Sequence, residues 1–211
     1  MPVGVSGDGG SRQLAFEFGG PMRGPPSKRT SDNVYFAVLP DPDAARRMCS
    51  IGSELWDRHR FPGRVQPARL LHISLVPVGS FVDLPDGIVT AARTAGSLVR
   101  CAPFEVCFDR ALSFENSRGS FVVLRCSHGN AEFAQLRRAI AMAILGADLR
   151  EKASIGFTPH VTLVYKGQPI PETLLAAPVC WTVREFVLIR SLYGQGRHVH
   201  LGRWHSRANG A

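Results

Sequence analysis

Apolar positions follow no period before residue 33. The stretches GDGGS and GGPMRGPPSKRTSD are rich in Gly, Pro and Ser, a composition that buries too little apolar surface to order itself. Residues 1–32 are therefore expected to form a disordered tail, and residues 33–211 the folded domain. Leu14-Ala15-Phe16-Glu17-Phe18 is an apolar exception within the tail, read as passive in preference to a docking motif. The pattern then changes. Val34 to Leu39 is a continuous apolar run closed by Pro40-Asp41-Pro42, the signature of a buried strand. Asp41 or Asp43 can cap a helix reaching about Arg58, with Pro42 tolerated in its first turn.

After the loop FPGRVQP, a strand is expected from roughly Leu70 to Val78 and a helix over Pro85–Val99. Phe104–Phe114 and Phe121–Cys126 read as a hairpin around Asn116-Ser117-Arg118-Gly119. Phe133, Leu136, Ile140 and Ile144 recur at helical spacing and mark a helix over Asn130–Leu149. Ile155 to Pro159 is a loop entering a strand over His160–Tyr165. Two closing strands, Val183–Tyr193 and His198–Trp204, are joined by Gly194-Gln195-Gly196. Strands and helices alternate irregularly, with hairpins, which is an α+β pattern and not a βαβ series. Strand, helix and strand recur in outline in the two halves, as a duplicated unit would.

Composition narrows the class. The chain has 211 residues, 45% of them hydrophobic and 20% charged, ordinary for a globular protein of one domain or two small lobes. No stretch approaches the roughly 20 apolar residues that span a bilayer. No basic segment followed by an apolar run opens the chain. A cytoplasmic protein without a membrane partner is expected. The net charge of +8 and pI near 9.8 favour anionic partners. Five cysteines form no C-x-x-C pair, and in such a chain they are read as reduced. No glycine-rich fingerprint for a dinucleotide or nucleoside triphosphate is present.

The candidate chemistry lies in two strands of one design. Leu71-His72-Ile73-Ser74-Leu75-Val76 and Pro159-His160-Val161-Thr162-Leu163-Val164 both place an imidazole and a hydroxyl two residues apart. Side chains alternate faces along a strand, so His72 and Ser74 oppose Leu71, Ile73 and Leu75, and His160 and Thr162 oppose Val161 and Leu163. In-line cleavage of a phosphodiester needs a base for the nucleophile's proton and an acid for the leaving oxygen. Imidazoles titrate near neutrality and can divide those tasks, while hydroxyl donors hold the non-bridging oxygens. One such triplet carries almost no information. Two, in separate halves of the chain, carry much more.

With these residues the sequence resembles the 2H phosphoesterase superfamily, in its 2′-5′ RNA ligase / RNA 2′,3′-cyclic phosphodiesterase branch, whose hallmark is two H-x-[ST] motifs. The resemblance runs from about Val34 to Trp204. It includes the opening strand Val34-Tyr35-Phe36-Ala37-Val38-Leu39-Pro40, Phe157-Thr158-Pro159 before the second motif, and the closing Arg203-Trp204. It implies a bilobal fold with a pseudo-two-fold axis, an antiparallel sheet and flanking helices in each lobe, and a positive central cleft. It also implies that His72 and His160 are catalytic and that Ser74 and Thr162 bind phosphate. The implied reaction opens 2′,3′-cyclic phosphate ends of RNA to 2′-phosphates, with reversible 2′-5′ ligation in some members. Ser74 stands where Thr is commoner. Many members carry Arg five residues after the second histidine, whereas this chain has Tyr165 followed by Lys166. Strand alternation makes Lys166 the better of these two substrate-binding candidates to face the cleft.

Other features stay secondary. His198, His200 and His205 could ligate zinc, but the resemblance makes theirs an ordinary terminal strand, and no metal or cofactor is expected. Arg46-Arg47 and Arg58-His59-Arg60 read as solvated helix charges before RNA contacts, and Arg118 as a turn residue. Trp181 and Trp204 read as packing residues. The expected partner of this monomer is RNA or a nucleotide cyclic phosphate. The rival functions are phosphodiester cleavage of small cyclic nucleotides or 2′-5′ oligoadenylates, and a non-catalytic RNA-binding module.

Overall fold

The computed structural model describes residues 31–116, 119–147, 149 and 157–206. The tail with its Leu14–Phe18 cluster, the turn residues Ser117 and Arg118, and Ile155 and Gly156 lie outside the described residues.

Among the described residues, eight strands and three α-helices follow the order β1 (Asp32–Val38), α1 (Pro42–His59), β2 (Ile73–Phe81), α2 (Asp86–Leu98), β3 (Phe104–Asn116), β4 (Gly119–His128), α3 (Asn130–Gly146), β5 (His160–Tyr165), β6 (Thr173–Val183), β7 (Glu185–Leu192) and β8 (Arg197–His205). They form two four-stranded antiparallel sheets, ordered β2-β1-β7-β8 and β5-β4-β3-β6. The two sheets correspond strand for strand. Both motif strands, β2 and β5, lie at sheet edges, and these edges approach each other. The helix before each motif strand packs on the opposite lobe: α1 touches β5 and β6, and α3 touches β2. This exchange ties the lobes into a shared apolar core behind the sheets.

Local chemistry explains the elements. Asp41 caps α1, its Oδ1 accepting the Ala44 N–H at 2.7 Å; an Asp cap of this kind is worth about 1 kcal/mol. Arg60 closes the helix in the left-handed region at φ 51°. On α3 the stripe Phe133, Leu136, Ile140 and Ile144 is buried, as the spacing requires. On β1, Val34, Phe36 and Val38 enter the shared core, while Tyr35 and Ala37 join Val187 and Ile189 on the opposite face. On that second face the Tyr35 ring lies against His72.

Trp204 packs on Phe36 and Phe186 at 5.8 and 5.2 Å. Gly96 and Gly202 make room for it, since a Cβ at either position would stand within 2.5 Å of the indole. Trp181 stacks on Phe108 at 5.2 Å. Both tryptophans are therefore packing residues.

Two expectations are corrected. Strand β6 was not foreseen. It is an edge strand in which Phe108 pairs with Val179 but Arg110 pairs with Leu174. Leu175–Pro178 bulge out between those pairs, where Pro178 loses no ladder bond. The cysteines are not all reduced either. Cys107 and Cys180 face each other on β3 and β6 and are joined in a disulfide, which leaves Cys49, Cys101 and Cys126 free.

Candidate active site

The two histidines are held alike. His72, just before β2, donates from Nδ1 to the Leu70 carbonyl at 2.8 Å. His160, opening β5, donates from Nδ1 to the Thr158 carbonyl at 2.8 Å. A carbonyl only accepts, so each Nδ1 carries hydrogen and the neutral ring leaves Nε2 bare for proton transfer. Both rings are half-buried. Burial pulls the His72 pKa down to about 4, against the opposing pull of the Leu70 carbonyl, and the charge of His160 lowers it further. Burial also lowers His160, against the pull of the Thr158 carbonyl. The two imidazoles thus sense each other across the cleft between the lobes.

The motif strands share an irregularity. Phe36 pairs with Val76 but Ala37 pairs with Ser74, so Leu75 is an extra residue in β2. Val122 pairs with Val164 but Val123 pairs with Thr162, so Leu163 is an extra residue in β5. Each bulge lies three residues after the histidine. A bulge of one residue reverses the alternation beyond it. Burial records the reversal: Leu75 and Val76 are both buried, as are Leu163 and Val164.

The reversal corrects the reading of Tyr165 and Lys166. Tyr165, past the bulge, lies on the same face as His160 and Thr162. Its hydroxyl interacts with the Thr162 side chain, and burial raises its pKa. Its charge would also raise the pKa of Tyr35 in the other lobe. Lys166 has left the strand. It adopts φ 56°, and its carbonyl accepts the Gly63 N–H at 3.0 Å. The alternation that favoured Lys166 therefore does not reach it. The equivalent position in the first lobe, five residues after His72, is Pro77.

The surroundings of the two rings differ. His72 lies 5.2 Å from the Tyr35 ring and 5.1 Å, edge to face, from His198. His198 Nε2 is 3.4 Å from the Tyr35 hydroxyl, and its buried Nδ1 has no hydrogen-bond partner. Burial holds the His198 pKa down at about 4, helped by His72, His200 and Arg69. His160 has instead Phe114, edge to face at 4.9 Å. Sequence reasoning missed both Tyr35 and His198. The one available signal was that Tyr35 carries the single polar side-chain group in the apolar run Val34 to Leu39.

His198 does not complete a zinc site: among the described residues no group of three His, Cys, Asp or Glu side chains is placed to hold a metal ion. His205 lies 3.6 Å from Glu185 instead. Cations do stand beside His160. Arg125 pairs directly across from it and Arg110 across from Arg125, both bridged by Glu172 at 3.5 and 2.6 Å.

Two paired sheets that present twin His-x-Ser/Thr edges to one cleft define the 2H phosphoesterase class. The profile of the 2′-5′ RNA ligase superfamily matches residues 16–195, and the chain belongs to that family. Its fold is that of Escherichia coli LigT complexed with 3′-AMP (TM-score 0.66, 22% identity, 84% of this chain and 99% of that one). LigT complexed with ATP gives a TM-score of 0.63 at 23% identity over 84% and 99% of the two chains. TT0787 of Thermus thermophilus gives 0.66 at 20% identity over 84% and 100%. No curated protein matches the sequence. Family membership makes the chain an enzyme of the phosphodiesterase or ligase kind. Among the described residues, no helix is long and apolar enough to cross a membrane.

Proposed function

We propose that the protein is a metal-independent phosphodiesterase that opens 2′,3′-cyclic phosphate ends of RNA to 2′-phosphates. With a 5′-hydroxyl replacing water as the nucleophile, the same machinery would form a 2′-5′ linkage as P–O3′ breaks, a step that can run back to the cyclic phosphate. The observation that carries this reading is the pair of imidazoles, each locked through Nδ1 on a carbonyl two residues back, with the charge of His160 felt at His72. Coupled groups of like charge take up protons in separate steps. Between those steps one ring is neutral and one is charged, as base and acid must be. The neutral ring takes a proton from water through Nε2 while the water oxygen attacks phosphorus. The P–O3′ bond breaks, and the charged ring delivers its proton to O3′. Ser74 and Thr162 donate to the non-bridging oxygens as charge develops. Tyr165 lies on the binding wall.

An anionic phosphate between the rings favours their protonated forms and offsets the downward pull of burial. The Arg125 and Arg110 pair would meet the RNA backbone beyond His160. The test is to supply RNA ended in a 2′,3′-cyclic phosphate, a small nucleoside cyclic phosphate and a 2′-5′ linked dinucleotide, with chelator present, and to identify the products. A 2′-phosphate from the first, formed fastest, is expected. Turnover of the small substrates alone would shift the reading to nucleotide chemistry. Salt-sensitive RNA binding without turnover would favour a binding module.

A further inference from the structure

We propose that Arg137 is a positioning residue that ties the two half-sites together, holding the bulge that follows His72 and steadying the segment that leads into His160. The proposal rests on the phosphodiesterase reading above and names what sets the spacing of its groups. Arg137 lies half-buried on α3, the helix that packs against β2. Its Nε donates to the Leu75 carbonyl at 3.3 Å. The same guanidinium lies over the Phe157 ring, 5.4 Å from its centroid, within the range of a cation–π contact. Leu75 is the extra residue of the β2 bulge and directly follows Ser74. Phe157 directly precedes Thr158, whose carbonyl holds the His160 ring. One side chain thus touches the neighbourhood of both motifs.

The other lobe has the same latch, made differently. The Leu163 carbonyl, at the β5 bulge, accepts the Gln66 N–H at 2.7 Å. Val65, beside Gln66, bridges to Val164. Gly52 on α1 leaves room for this approach, since a Cβ there would stand 2.9 Å from Val65 Cγ1 and 3.6 Å from Leu163 Cβ. Gln66 lies in the loop that leads to His72. Each bulge is therefore held by chain that precedes the opposite motif. Backbone makes the bond at Leu163, whereas a side chain makes it at Leu75.

The consequence is geometric. A bulge bends its strand and re-aims the side chains beside it. Leu75 and Leu163 are buried, so their carbonyls need partners inside the protein. A partner that also contacts the other motif fixes the bulge relative to the opposite histidine. Arg137 thereby keeps the Ser74 hydroxyl and the His160 ring in one frame. A small misplacement of groups around a reacting phosphate slows turnover even where the substrate still binds.

The test compares wild type, Arg137→Met and Arg137→Gln on RNA ended in a 2′,3′-cyclic phosphate. Met keeps the length of the side chain and removes the donor. Gln keeps an N–H donor at the place of Nε and removes the charge. Arg137→Met should lower kcat by about tenfold or more and leave KM unchanged, and Arg137→Gln should recover most of that loss. In a Ser74→Ala background the Arg137→Met change should cost less, because the two act on one geometry. Equal losses in the Met and Gln variants overturn the proposal. So does full additivity with Ser74→Ala, or a lower melting temperature with kcat unchanged. Imidazole NMR resonances decide the matter without turnover. Those of His72 and His160 should move in Arg137→Met and lie near wild type in Arg137→Gln, while exposed His205 stays in place. Unmoved rings overturn the proposal. Phe157→Leu removes the other contact and should move the His160 ring in the same way; an unmoved ring there overturns the proposal even where Arg137→Met does not fold. Moved rings in a protein whose wild type turns over no cyclic phosphate would leave the latch standing and remove the phosphodiesterase reading.

Discussion

The two motif lobes match in backbone and differ in side chains. In both, an imidazole hangs from a carbonyl two residues back at 2.8 Å, a hydroxyl follows two residues on, and a bulge falls at the third. Around that common frame, His72 has Tyr35 and His198 where His160 has Phe114, and Pro77 stands opposite in kind to Tyr165. In the proposed reaction the shared part would supply paired proton transfer and phosphate binding. The unshared part gives the cleft a direction: a polar, imidazole-rich wall on one side and an aromatic wall on the other, with Arg125 and Arg110 beyond it.

The comparison can be broken at several points. If the hydroxyls are equivalent, Ser74→Ala and Thr162→Ala should each lower kcat/KM by about 10²-fold, the scale for one donor to a developing oxyanion. Steady-state kinetics on cyclic-phosphate-ended RNA reads this, and a full-rate Ser74→Ala enzyme would end the equivalence. A smaller effect concerns pH. Burial lowers the pKa of both His72 and His160, so if they act as proposed, kcat/KM, which reports the free enzyme, should peak below pH 6.5. The kcat profile, which reports the bound complex, should lie nearer neutrality. A kcat/KM optimum above pH 7 would contradict this.

The smallest effect separates the lobes by stability. His72 and His198 have folded pKa values near 4, below the unfolded value of about 6.5. Their neutral forms are the folded ones, so their contribution is complete above pH 6.5 and is lost as pH falls toward 4. His198→Phe gives the first lobe the aromatic neighbour of the second and removes one titrating group. The slope of unfolding free energy between pH 6.5 and 4 should fall by up to one proton relative to wild type. An unchanged slope would show that His198 is already charged in the folded state.

How much of this was legible follows from how local each feature is. The motif pairs, the Asp41 cap and the α3 stripe are set by neighbours within a turn or a strand, and the sequence displays them. The bulges depend on which partner each strand meets. Leu75-Val76 and Leu163-Val164, two adjacent apolar residues where alternation asks for one, were their only local trace. Strict alternation carried past that trace puts Lys166 in the cleft in place of Tyr165. β6 was hidden by Pro178 and its alanines, which an edge strand tolerates and a central one does not. The Cys107–Cys180 bond joins residues 73 apart in sequence and follows only from the pairing of β3 with β6. His198 reads as one residue of a terminal strand until the fold brings it against His72.

The central claim is that two imidazoles form one proton-transferring unit. Its most direct test is turnover of cyclic-phosphate-ended RNA by His72→Ala, His160→Ala and the double variant, with chelator present and folding checked by melting. Each single variant should lose about 10³-fold or more in kcat, and the double variant should be no worse than the poorer single, because groups that act as a unit are lost together. Either single variant turning over at the wild-type rate would contradict the account.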